Sequence, residues 1–143
     1  GMFYMNKERL KRIIEDLKEC NNDIYECIEV LQSNSDRLVL KLAKSSLRQL
    51  FVSFHNILED LCSISIKEVN RFKVGMSLSE SLKVLKEEGI LDDETYIFLE
   101  KSRLIRNRIA HRYKEPSHED LLNHISVSIS NLDRVVKIAA SYL

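Results

Sequence analysis

This sequence predicts an all-α fold, an up-and-down antiparallel helical bundle of four long helices plus one short helix, and three observations predict it. Apolar residues recur at three- and four-residue spacing along nearly the whole chain, the mark of amphipathic helices. Only three Gly and one Pro occur in 143 residues, too few for the many tight turns of a β-sandwich or barrel. Hydrophobic residues make up 44% and charged residues 31%, which fits a soluble globular chain and excludes disorder or a collagen-like repeat. Residues 2–143 read as a single domain able to bury a core without disulfides or metal, with Gly1 before Met2 read as an expression-tag remnant.

The first helix is defined by Leu10, Ile13, Ile14, Leu17, Ile24, Cys27, Ile28 and Leu31, with Asn6 as its cap. Ser33-Asn34-Ser35-Asp36 breaks that pattern and restarts it. The second helix carries a wide stripe, Leu38, Val39, Leu42, Ala43, Leu47, Leu50, Phe51, Phe54, Ile57, Leu58 and Leu61, so it is expected to be the most enclosed. Its end is blurred between Ser63 and Phe72 by β-branched residues. Ser77-Leu78-Ser79-Glu80 fits a capping box that opens a short helix closed by Gly89. Asp92 or Asp93 then caps a fourth helix bearing Tyr96, Ile97, Leu99, Leu104, Ile105 and Ile109, with Pro116 as its stop. Ser117-His118-Glu119-Asp120 opens a fifth helix with acids in the first turn, where the dipole favours them. That helix is expected to run unbroken through Leu121, Leu122, Ile125, Ile129, Leu132, Val135, Val136, Ala139 and Tyr142.

The longest stretch without Asp, Glu, Lys or Arg is the 12 residues from Leu121 to Leu132, too short to cross a bilayer. Lys7, Glu8, Arg9, Lys11 and Arg12 interrupt any secretory apolar segment, so a soluble cytoplasmic chain is expected, with no membrane partner. Cys20, Cys27 and Cys62 form no C-x-x-C pair and read as packed thiols, so no metal or other cofactor is expected. Lys plus Arg balance Asp plus Glu at 22 each, so net charge alone points to no nucleic-acid partner.

The balance hides one asymmetry. Lys101-Ser-Arg-Leu-Ile-Arg-Asn-Arg-Ile-Ala-His-Arg-Tyr-Lys114 holds Lys101, Arg103, Arg106, Arg108, Arg112 and Lys114 without one acidic residue. Such a run is either a solvated helix face paired to acids on a neighbour or a surface that attracts phosphate. Within it, Arg106 to Tyr113 spell R-x4-H-x-Y at the end of a bundle helix.

That pattern resembles the HEPN superfamily, and within it the HepT-like toxins paired with minimal nucleotidyltransferase antitoxins. Glu88-Gly89-Ile90-Leu91 before the motif helix, and an amphipathic helix after it, extend the similarity over nearly the whole chain. The resemblance implies a metal-independent endoribonuclease in which the ribose 2′-OH attacks the adjacent phosphate. By position it implies Arg106 and His111 as the catalytic pair and Asn107 as the polar neighbour that orients them. It also implies Tyr113 as the tyrosine that the antitoxin modifies with AMP, while the charge of the run itself points to Arg103, Arg108, Arg112 and Lys114 as RNA- or phosphate-binding cations. The chemistry suits the residue types, since imidazole with a free pKa of about 6.5 exchanges a proton at neutral pH. Guanidinium offers a rigid fork to phosphorane-like charge. After the tyrosine many relatives run through a short apolar-plus-Asp step, where this chain has Lys114-Glu115-Pro116-Ser117.

Helical pitch puts Asn107 and His111 about 40° apart but Arg106 roughly 140° from His111. Either the arginine reaches round, the helix deforms at its end, or a second copy completes the site, and the resemblance implies a homodimer. The remaining histidines, His55, His118 and His124, read as buried or capping side chains. Two other functions fit the same residues: a non-catalytic helical subunit that docks a nucleotidyltransferase and presents substrate or nucleotide, and a dimerising bundle whose basic segment grips an acidic protein.

Overall fold

The computed structural model describes residues 6–111 and 117–143, which form six helices and, among the described residues, no strand. They are α1 (Lys7–Ser33), α2 (Arg37–Glu68), α3 (Leu78–Glu87), α4 (Asp93–Ala110), α5 (His118–Val127) and α6 (Ser130–Ala140). Local chemistry sets most boundaries. The side chains of Asn6, Asp36, Ser77, Asp92 and Ser117 each accept a backbone N–H of the first turn of the helix they precede, satisfying donors that the helix leaves orphaned.

At the other ends, Gly89 takes φ +76° after α3, and the Ile90 N–H reaches back to the Leu85 carbonyl at 2.9 Å. Asn70 plays the same part after α2, with φ 59° and the Arg71 N–H on the Ile66 carbonyl at 3.1 Å. Both are Schellman closures, and asparagine stands in for glycine at the second because it tolerates the left-handed region.

The core is a seam between α1 and α2 that the other helices cover. Leu10, Leu17 and Ile24 from α1 meet Leu47, Phe51, Phe54 and Leu58 from α2, all at most 2% exposed. The two helices run antiparallel, as the Arg9–Asp60 and Cys20–Leu50 contacts show. α6 lies along α1 in the opposite sense, joined by Asn21 to Leu132 and by Lys7 to the Tyr142 carbonyl. α3 packs on α2 and α4, and α4 in turn on α2 and α6.

The expected fifth helix is two helices, α5 and α6, so the bundle has six elements instead of four long and one short. The chain leaves helical geometry at Ser128 (φ −127°, ψ 34°), and the N–H groups of Asn131 and Leu132 bond carbonyls only three residues back. Ser126-Val-Ser-Ile-Ser-Asn131 alternates side chains that compete for backbone hydrogen bonds with β-branched ones, which weakens a helix locally. Apolar spacing continues through the joint because so short a tightening barely changes the register.

Three expected stripe positions at the start of α2 also lie outside the core: Leu38 is 63%, Val39 36% and Leu42 60% exposed. The α2 stripe is enclosed only from Ala43 onward. Leu17→Ala, at a fully buried seam position, is expected to lower the free energy of unfolding by about 2–5 kcal/mol in urea titration. Leu42→Ala is expected to change it by less than about 0.5 kcal/mol, and equal costs at the two sites would contradict this packing.

Candidate active site at the end of α4

α4 has four differently occupied sides, and the core sets them. Phe98, Leu99, Ser102 and Ile105 are buried at 9% exposure or less, which fixes the rotation of the helix about its axis. Arg103 then points toward α3, where its Nε and one terminal nitrogen donate to Glu100 at 3.1 and 2.8 Å, and Glu100 also accepts from Ser79. Arg106 points toward α2, donating to Asn56 Oδ1 at 3.3 Å and standing 3.9 Å from Glu59 Oε1.

Lys101, Leu104 and Arg108 face the opposite way, into a groove of about 700 Å³ between α4 and α5. Asn107 is exposed. His111 is the C-cap, exposed, with its N–H on the Arg108 carbonyl at 3.2 Å.

Among the described motif residues, Arg108 lines the groove, and His111 closes α4 as its exposed C-cap. Arg106 is drawn to α2, and at His111 the chain leaves helical geometry with φ −108° and ψ 95°. Arg112, Tyr113 and Lys114 lie outside the described residues, as does Pro116. The basic run is less isolated than its sequence suggests, because folding brings Glu59 and Glu100 to two of its arginines.

Asn56 and Glu59 escaped sequence reasoning. They stand three residues apart on a helix fifty residues upstream, and nothing local distinguishes them from other polar positions on the outer face of α2.

The histidines divide as their burial dictates. His55 is 1% exposed, its ring set edge-on to Phe51 and Phe54, and neither ring nitrogen has a hydrogen-bond partner. Burial, then the nearby Arg106, His124 and Arg103 charges, push its pKa down to about 3. His124 stacks on Phe98 with centroids 4.6 Å apart, and its Nε2 lies 2.5 Å from Ser102 Oγ. Burial and then Lys101 bring its pKa down to about 4.

Both rings are therefore neutral at physiological pH and serve as packing groups, leaving His111 as the solvent-facing imidazole of the motif. Burial raises the thiol pKa of Cys20 to about 11 and of Cys62 to about 12, as expected of packed thiols. No cluster of three or more His, Cys, Asp or Glu among the described residues is placed to hold a metal ion. No helix among them is long and apolar enough to cross a membrane.

A family model described as "Ribonuclease HepT-like" matches residues 10–139, which takes in every described helix almost completely. No curated protein and no solved structure matches the chain.

The buried histidines make stability depend on pH. Their folded pKa values lie below the unfolded value of about 6.5, so the unfolded chain binds more protons between roughly pH 3 and 6.5. The contribution is complete above about pH 6.5 and is lost as pH falls through that window. His55 is expected to contribute up to about 1.4 kcal/mol per pH unit, and His124, partly solvated, less. His55→Leu should flatten the slope of unfolding free energy against pH between 6.5 and 4.5, and an unchanged slope would contradict the assignment.

Proposed function

The chain belongs to the HepT-like ribonuclease family, and from that premise we propose that it is a metal-independent endoribonuclease toxin acting through Arg106 and His111. A cognate nucleotidyltransferase antitoxin neutralises it. The carrying observation is the end of α4, where an exposed imidazole caps the helix terminus, Arg108 and Lys101 line the adjoining groove of that helix, and Arg106 is held on α2. His111 accepts the proton as the ribose 2′-OH attacks the neighbouring phosphate. The P–O5′ bond breaks as the 5′-oxygen takes a proton from solvent, giving a cyclic 2′,3′-phosphate and a free 5′-hydroxyl. Arg106 takes the charge that grows on the phosphoryl oxygens, and Asn107, one turn before His111, orients the imidazole.

The divergence of Arg106 and His111 on one helix supports a homodimer whose site combines Arg106 of one copy with His111 of the other. The α4–α5 groove, on the side of α4 away from Arg106, is a separate apolar face. Ile97 (62% exposed), Leu104 (52%) and Val127 (83%) cluster there, and large apolar side chains so grouped mark an interaction face. Glu94 and Asp120 beside Lys101 and Arg108 give the same groove both signs of charge. Tyr113, next but one after His111 in sequence, is the residue the antitoxin would modify with AMP.

Induced expression of the wild type is expected to arrest growth, and His111→Ala is expected not to. Purified His111→Ala should cleave RNA at least about a hundredfold more slowly, and wild-type cleavage should persist in EDTA. Loss of cleavage in EDTA with recovery on adding Mg²⁺ would overturn the metal-free mechanism. Intact RNA with the wild type, and growth unaffected by either protein, would favour a non-catalytic subunit that docks the nucleotidyltransferase.

RNA affinity should also fall about fiftyfold for a fourfold rise in salt if four phosphates of a single strand are neutralised. A salt-independent affinity would remove the basic run from the RNA-facing surface.

A further inference from the structure

Beside Arg106, on the side away from the α4–α5 groove, α2 and α3 enclose a second cleft of about 240 Å³. Glu59, the carboxylate 3.9 Å from the Arg106 guanidinium, lines it, together with Phe72, Met76, Ser63 and Ser81. The volume is below the roughly 300–1,000 Å³ of pockets for drug-sized ligands, so it suits one flat ring system and not a whole strand. Phe72 is 47% exposed at this cleft although it is a large aromatic, and Lys67 Nζ sits 5.2 Å from its ring centroid. An aromatic ring, an apolar wall, a carboxylate and two hydroxyls next to a phosphate-binding arginine are the components of a nucleobase subsite.

We infer that the α2–α3 cleft receives the base of the nucleotide next to the scissile phosphate and selects guanine through Glu59. The inference rests on the ribonuclease reading, because it takes Arg106 as the phosphate anchor. A carboxylate only accepts hydrogen bonds, and it accepts two at once from a donor pair on a single edge. Guanine is the RNA base that offers such a pair, its N1–H and the adjoining amino group. Adenine and cytosine present an amino group beside a ring acceptor, and uracil presents a single N–H between two carbonyls, so each sets an acceptor against Glu59 or leaves half of it unmatched.

The Glu59–Arg106 contact is an ion pair too long for a hydrogen bond, so the carboxylate has capacity for a base while the guanidinium turns to the phosphate. Phe72 supplies a stacking surface indifferent to base identity.

The test separates binding from cleavage. His111→Ala protein is titrated, by fluorescence anisotropy, with four short oligouridylates that differ only in a central G, A, C or U. Binding is expected to be about tenfold tighter for the guanine oligonucleotide. Adding Glu59→Gln should erase that preference, and adding Phe72→Ala should weaken all four alike, with thermal unfolding confirming that each variant is folded. The ratio between bases is the informative readout, because a merely structural role for Glu59 would weaken every oligonucleotide equally.

Equal binding of the four, or a guanine preference that survives Glu59→Gln, overturns the inference. In parallel, wild-type protein is given an unstructured RNA of mixed sequence. Cleavage without guanine beside the break sinks the cleft and leaves the nuclease standing. Guanine-selective binding with intact RNA sinks the nuclease and leaves the cleft standing.

Discussion

Burial of Phe98, Leu99, Ser102 and Ile105 fixes the rotation of α4, and nearly everything of functional interest follows from that one constraint. An α-helix turns about 100° per residue, so once four side chains are committed to the core the remaining directions are not adjustable. Arg103 falls toward α3 and pairs with Glu100 of its own helix, and Arg106 falls against α2, where Asn56 and Glu59 receive it. Lys101, Leu104 and Arg108 fall into the groove beside α5. A single chain therefore presents the cations of the basic run in two directions.

α5 stands off α4 for a physical reason. His124 wedges between them, stacked on Phe98, edge-on to Phe51 and against Ser102, so the helices meet through a ring instead of an interdigitated apolar seam. At the far end of the same interface Thr95 donates to Asn131, which also receives Arg134, while Asn21 ties α1 to the Leu132 carbonyl. These buried polar contacts sit where the chain breaks between α5 and α6, and their directionality holds that joint in one geometry. The cost is incomplete satisfaction, since Asn131 Nδ2, Asn21 Oδ1 and both His55 nitrogens lack partners.

Much of the fold was legible because its signals are local. Asn6, Ser77 and Gly89 act where apolar spacing and turn chemistry place them, and the uncertain cap of α4 resolves to Asp92. The α5–α6 joint was not legible from periodicity, because Ile125, Leu132 and Val135 keep helical spacing across it; the Ser/Asn-rich run was the signal that spacing masked. Leu38, Leu42, Ile97 and Leu104 fit an apolar stripe yet are exposed. Periodicity reports that a face is apolar but not what covers it. The family was legible by resemblance, whereas the α2 partners of Arg106 exist only once two helices fifty residues apart are packed together.

The central claim, that Arg106 of one copy acts with His111 of another, meets its most direct test in a mixture of two inactive proteins. Arg106→Ala and His111→Ala chains, unfolded together and refolded so that subunits exchange, give mixed dimers in which one of the two composite sites has both side chains. Recovery of ribonuclease activity to about a quarter of the wild-type level is the predicted result, since half the dimers are mixed and each carries one intact site. A mixture no more active than its two parents would place both groups within one chain and contradict the account.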